Sequence, residues 1–302
     1  LLIGDTTENT TGLFPYRVRW STVGNPTTWN TTTAGFVNLI EDETNSKVMC
    51  MHPLKEVLIV YKYGAIYQLQ YQGDPNYFVP RMRIADRGSI SRKGVAPFGD
   101  LHLVVTQDNI HVFDGLNFID PPPGNRIKRE FFRNLNWERR ERIFTKAFPG
   151  RFEVWIAYPA GEDQECRNAW CWNYKDNTWT HHETSGDIYS FMNFDEAFDS
   201  ITPVAGGLGK VYRFLNGLTD DGVAISSYFR TKLYDYGDLS RQAKTNLSTV
   251  EKTIYKIEMD STGDNPGVQV GYTNNIKKTP TYTATEQFAE GNKGRNKADV
   301  QA

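Results

Sequence analysis

Short β-rich runs joined by tight polar or glycine-containing turns recur along most of this 302-residue chain, and that recurrence confines it to antiparallel β structure. Val57–Tyr71 (VLIVYKYGAIYQLQY) turns back at Tyr63-Gly64. Leu101–Thr106 and Ile110–Phe113 flank the Gln107-Asp108-Asn109 turn, and Asp114-Gly115 then leads into Asn117–Ile119. Phe152–Tyr158 alternates, a polar loop follows, and Asn168–Tyr174 and Thr178–His182 are joined by Lys175-Asp176-Asn177. Ile188–Phe194, Thr202–Ala205 and Lys210–Leu215 add further strands around Gly206, Gly207 and Gly209.

Four such hairpin units at a spacing of roughly 40 to 50 residues match propeller blades, small sheets that must each bury their faces against neighbours. The expected fold is all-β, an incomplete or degenerate β-propeller built from antiparallel hairpins. After about Ser227 the texture changes. Tyr228–Tyr236, Thr253–Met259 and Val268–Thr273 alternate around a turn at Ser261–Gly267, and the residues from Gln287 on have loop composition. These features predict a propeller domain over 1–225 and a closing sheet or small β-sandwich over 226–302. The chain opens without methionine and stops without a terminal helix, so it is expected to be the ordered part of a longer product.

One segment breaks the β pattern. Across Asn125–Lys146 the residues Ile127, Phe131, Phe132, Leu135, Ile143 and Phe144 recur at roughly helical spacing, and Pro121-Pro122-Pro123-Gly124 forms a rigid non-helical lead-in. The same segment is the most basic of the chain. Arg126, Lys128, Arg129, Arg133, Arg139, Arg140 and Arg142 outnumber Glu130, Glu138 and Glu141.

Formal net charge is −2, from 34 basic and 36 acidic side chains, so no global field draws nucleic acid or an anionic membrane, and any DNA contact must be local. Three cysteines, Cys50, Cys166 and Cys171, suit free thiols better than a disulfide framework, with a Cys166–Cys171 bridge as the alternative. No apolar run approaches the roughly 20 residues that span a bilayer, and no secretory signal is present, so the chain reads as soluble.

Catalytic patterns do not emerge: there is no Gly-x-Ser-x-Gly elbow, phosphate loop or His-Glu-x-x-His, and Gly206-Gly207-Leu208-Gly209-Lys210 reads as a strand turn. His102 and His111 lie on opposite arms of one hairpin but lack the three or four ligands a zinc site wants. His181 and His182 should face opposite sides of a strand. No catalytic residue, metal or cofactor is expected. Asn173–Thr180 is loosely similar to the Asp-box turn of sialidases, but without its leading Ser and central Gly; Asp176-Asn177 making the turn and Trp179 packing between blades account for it. Asp195, Glu196 and Asp199 read as a solvated loop.

The order of features carries a resemblance. An Arg-x-Arg-Trp-Ser opening (Arg17, Arg19, Trp20, Ser21), an Asn-Pro-x-x-Trp turn (Asn25, Pro26, Trp29), the Val57–Tyr71 hairpin, a loop with Gly88 and Gly94, and the Leu101–Gly115 hairpin together resemble the β-propeller tail hub, nozzle or packaged-DNA stabilisation proteins of short-tailed bacteriophages. The resemblance spans about Pro15–Leu215. It implies a virion structural protein, assembled in the bacterial host cytoplasm, that forms a homo-hexameric ring against a portal or adaptor protein and tail fibres or spikes. It also implies a channel for double-stranded DNA, contacted non-specifically. In that setting the seven basic residues of 126–142 would line the channel or an interface, needing only loosely spaced positive charge. Tyr61, Tyr63, Tyr67, Tyr71, Tyr77 and Phe78 would be subunit contacts or blade packing. The rival readings are a glycan-binding or glycan-cleaving propeller, with paired carboxylates and exposed tryptophan, and a cellular propeller scaffold that binds protein partners.

Overall fold

The computed structural model describes residues 1–213 apart from 9–11, 31–32, 41–45, 75–76 and 198–199, with backbone alone over 194–202, and beyond 213 only short strands. The chain divides into two units, 1–225 and 226–302.

The all-β expectation holds, and the first unit contains a series of five antiparallel sheets of three or four strands, followed by a two-stranded pair, Thr219–Asp220 with Val223–Ala224. The first contains β1 (Leu2–Glu8), β2 (Gly12–Trp20) and β3 (Gly35–Asn38). The second contains β4 (Val48–Leu54), β5 (Val57–Lys62), β6 (Ala65–Tyr71) and β7 (Phe78–Ala85). β8 (Val95–Phe98), β9 (Leu101–Val105) and β10 (Ile110–Phe113) form the third. The fourth is β11 (Phe144–Phe148), β12 (Glu153–Tyr158), β13 (Cys166–Asn173) and β14 (Thr178–Ile188). β15 (Ser190–Ala197), β16 (Ser200–Gly207) and β17 (Lys210–Arg213) complete the fifth. In every sheet the strands lie side by side in chain order, an unbroken meander. The leading strand of each sheet contacts that of the next: β1 with β4, β4 with β8, β8 with β11, and β11 with β15.

Strand alternation sorts side chains into four separate cores, one between each pair of successive sheets. In the second sheet, Val60, Tyr67 and Leu69 face the first, against Val18 and Leu39. Ile59, Tyr61 and Ile66 face the third, against Val95, Val104 and Phe113. The third sheet turns Leu103, Val105, Ile110 and Val112 toward Val154, Ile156, Trp170 and Trp172 of the fourth. The opposite face of the fourth presents Trp155, Ala157, Ala169 and Cys171 to Phe191 and Ala205 of the fifth. Successive side chains of a strand point to opposite faces, so a strand covered on both faces must be apolar throughout. That requirement accounts for the unbroken apolar run Val57–Tyr61. Each such buried side chain contributes about 1.5–3 kcal/mol.

Proline placement follows the same geometry. Pro53, Pro80 and Pro97 stand in β4, β7 and β8, each the edge strand of its sheet, where a missing N–H breaks no ladder. Pro15 sits in the central strand β2, at the register break between Gly4 and Thr6 of its partner. Gly88 is fixed by close approach: a Cβ there would lie 1.9 Å from the Lys62 carbonyl oxygen.

The expected helix over 125–146 is corrected to three short pieces. A 3-10 turn at Pro123–Arg126 begins inside the proline run, α1 spans Lys128–Asn134, and a second 3-10 turn spans Trp137–Arg142. Phe144, expected on the helix, opens β11 instead. The helical spacing reflected burial correctly even so: Ile127, Phe131, Leu135 and Ile143 all enter the core between the third and fourth sheets. Asn136 breaks the helix by capping the second turn, its Oδ1 accepting from the Glu138 N–H at 3.1 Å.

In the second unit the described strands form nested antiparallel pairs, Ile257–Met259 with Asn296–Ala298, Gly267–Val268 with Glu286–Gln287, and Gly271–Tyr272 with Thr281–Tyr282. The strand expected over 228–236 lies outside the described residues.

Candidate nucleic-acid interface

The basic segment crosses from β10, the last strand of the third sheet, to β11, the first of the fourth. Its apolar residues are sunk in the core, which turns the charged ones outward. Arg126, Lys128, Arg129, Arg133, Arg139 and Arg142 are exposed and Arg140 is half-buried. Three of the seven have tasks in the fold. Arg126 donates to the Asn177 carbonyl at 2.6 Å, tying the segment to the β13–β14 turn. Arg142 pairs with Glu165 at 3.3 Å. Arg140 donates to the Trp137 carbonyl at 2.9 Å and lies 5.9 Å from the Tyr63 ring centre.

The acidic residues are partly neutralised as well. Lys47 reaches Glu141 at 2.6 Å and holds its carboxyl below the usual carboxylate range. The side chains of Lys128, Arg129, Arg133 and Arg139 have no hydrogen-bond or ion-pair partner among the described residues. What emerges is a modest array of unpaired cations on a rigid apolar base. Such an array suits loose, non-specific phosphate contact.

The six aromatic candidates do not form one surface. Tyr61 and Tyr67 are fully buried on opposite faces of the second sheet, so both belong to the packing between sheets. Tyr63 is half-buried beside the core between the third and fourth sheets. Tyr71 is exposed and Phe78 half-buried, their rings 5.6 Å apart at the far end of the β6–β7 hairpin, with Tyr77 beside them. Phe78 also meets Trp20 at 5.1 Å and packs on the core between the first and second sheets, so Tyr71 is the exposed member of the six.

The histidines are structural. His102 Nδ1 hydrogen-bonds the Tyr61 hydroxyl at 2.7 Å and Nε2 the Pro53 carbonyl at 3.1 Å, linking the second and third sheets. Burial, helped by the nearby His52, pushes its pKa down to about 4. His111 shares that face of the hairpin but stacks on Phe118 at 4.3 Å, and its Nε2 lies 3.8 Å from the Asp108 carboxylate, too far for a hydrogen bond. His181 meets Tyr158 on one face of β14 while His182 meets Trp155 on the other, the opposite orientation expected of adjacent strand residues. Among the described residues no group of three His, Cys, Asp or Glu side chains could hold a metal ion.

All three cysteines are free thiols, so the alternative Cys166–Cys171 bridge is absent. Burial pushes each thiol up to about 12, which leaves little reactive thiolate at neutral pH. The Asp-box-like turn is accounted for structurally. Asn173 Oδ1 accepts from the Lys175 and Asp176 N–H groups, Asn177 takes φ +52°, and Trp179 donates to the Pro123 carbonyl at 2.9 Å while packing on the core. The side chains of Asp195, Glu196 and Asp199 lie outside the described residues.

Sequence reasoning missed the polar clamp on the outward face of the first sheet. Arg17 pairs with Glu8 at 2.7 Å and donates to Asn38 at 2.9 Å, and its guanidinium lies between the Phe14 and Phe36 rings at 3.6 and 3.8 Å. Arg19 reaches the same Glu8 at 3.2 Å. The Arg17-x-Arg19 alternation was the available signal. No helix among the described residues is long and apolar enough to cross a membrane. No known family model matches the chain, and no curated protein matches it.

Proposed function

We propose that this chain is a structural subunit of a short bacteriophage tail, a β-propeller hub or nozzle protein that extends the portal channel and helps retain packaged DNA. The observation that carries the reading is the serial order of the sheets: five meanders in chain order, leading strands in mutual contact, with one core between each pair. Blades of a propeller are built this way, and the resemblance in the order of Arg17–Ser21, Asn25–Trp29 and the two glycine-punctuated hairpins adds the virion context. Repeated around a tail axis, most simply as a homo-hexamer, the unpaired Lys128, Arg129, Arg133 and Arg139 supply weak, non-specific phosphate contact. A near-neutral chain with one modest cationic patch suits passage of DNA better than tight retention would.

Immunogold electron microscopy of virus particles, with an antibody raised against the chain, tests the assignment. Label at the tail vertex supports it. Label confined to cells and missing from particles overturns it.

A further inference from the structure

An open groove of about 560 Å³ lies where the second 3-10 turn meets the β12–β13 loop, lined by Leu135, Asn136, Trp137, Glu138, Gly161, Glu162 and Gln164. Its walls are fixed to each other through the backbone. Asn136 N–H donates to the Pro159 carbonyl at 2.9 Å, Gly161 N–H to the Asn134 carbonyl at 2.7 Å, and Leu135 bridges Ala160. Trp137 is 40% exposed although Trp is expensive to leave in water, and one face of its indole is stacked on Phe132 at 5.8 Å and 20°. The ring is therefore held as a platform.

The charge of the lining is one-sided. Asn136 spends its Oδ1 on the Glu138 N–H and its Nδ2 on the Asp163 carbonyl, and Gln164 Nε2 donates to the Glu162 carbonyl. The charged groups left to meet a ligand are both anionic, the exposed carboxylates of Glu138 and Glu162, beside the Gln164 Oε1 and the Trp137 indole N–H. No lining residue is cationic. A rigid aromatic face flanked by two carboxylates, with no cation in the lining, calls for a planar cation. A guanidinium meets that description, stacking on indole while its N–H groups reach carboxylates.

We infer that the Trp137 groove receives an arginine side chain presented by a protein partner. The inference is independent of the tail assignment, because it rests on the lining of this groove alone. The test is a titration of the full chain, followed through the Trp137 indole N–H signal by NMR, with an acetylated and amidated Gly-Arg-Gly peptide. The signal is assigned by its loss in Trp137→Ala, and the remaining indole signals report that the fold is intact. The arginine peptide should shift the signal, its citrulline counterpart should not, and Glu138→Gln with Glu162→Gln together should weaken binding at least threefold. An equal shift with citrulline, a shift produced by maltotriose in place of the peptide, or no shift at all overturns the inference.

Discussion

The second and first sheets illustrate two ways of completing a β-sheet. The second has neighbours on both faces, and Ile59, Val60, Tyr61, Ile66 and Tyr67 are fully buried in strict alternation between two cores. Among the described residues, the first has a neighbouring sheet on one face only. On the other, Ile3 and Phe36 are exposed and the Arg17–Glu8 clamp stands in for a core. A sheet inside the series is specified by hydrophobic patterning, whereas a sheet at its end relies on cation–aromatic stacking and ion pairs.

The largest effect should come from a two-faced sheet. Trp155 is 1% exposed between the fourth and fifth sheets, 6.0 Å from Phe191, and Trp155→Ala should cost about 3–5 kcal/mol in chemical denaturation. A loss below about 1 kcal/mol would break the contrast, since that is the scale of ordinary surface change. Gly88→Ala follows at about 1–3 kcal/mol, because the added methyl meets backbone, which cannot rotate away. Wild-type stability in that variant would mean the β7–β8 connection is looser than the tight Lys62 approach implies.

Acid should act more gradually. All five histidines are pushed below the ordinary value of 6.5 by burial, His102 to about 4. The unfolded chain therefore binds protons that the folded chain refuses between those values, so stability is full above about pH 6.5 and falls as pH drops toward 4. Denaturation midpoints measured across that window should decline, and His102→Asn should flatten the decline; a flat wild-type profile would contradict the buried neutral imidazoles. The smallest effect belongs to an exposed strand end. Leu13, 64% exposed on β2, should tolerate Leu13→Ser within about 0.5 kcal/mol by thermal melting.

The same contrast explains what the sequence allowed to be read. The β5–β6 and β9–β10 hairpins, and β12 and β13, were legible because double-sided burial writes long apolar runs around clear turns, and β14 because the Lys175-Asp176-Asn177 turn returns the chain beside β13. The leading strands β4, β8 and β11 were not. β4 and β8 carry Pro53 and Pro97, which argue against a strand unless it is known to be an edge, and β11 was absorbed into the helical spacing of Phe131, Leu135 and Ile143. Four hairpin units were expected where five meanders stand, because the first, β1–β3, was read only as the Arg17–Ser21 opening and the Asn25–Trp29 turn. At the candidate site the cations were visible as composition, but which of them are spent on Asn177, Trp137 and Glu165 depends on contacts between distant parts of the chain. Tyr61 and Tyr67 could be read as subunit contacts or as blade packing for the same reason: the partners that bury them, Phe113 and Val18 among others, are remote in sequence.

The claim that one core separates each pair of successive sheets is tested most directly by two double-mutant cycles that share Tyr61. Tyr61 and Phe113 belong to different sheets, with ring centres 6.2 Å apart at 79°, whereas Tyr61 and Val60 are chain neighbours assigned to different cores. Tyr61→Leu with Phe113→Leu should show a coupling of about 0.5–1.5 kcal/mol, as expected for an edge-to-face pair. Tyr61→Leu with Val60→Ala should add to within about 0.5 kcal/mol. Additivity across the sheets together with strong coupling along the strand would contradict the serial stack.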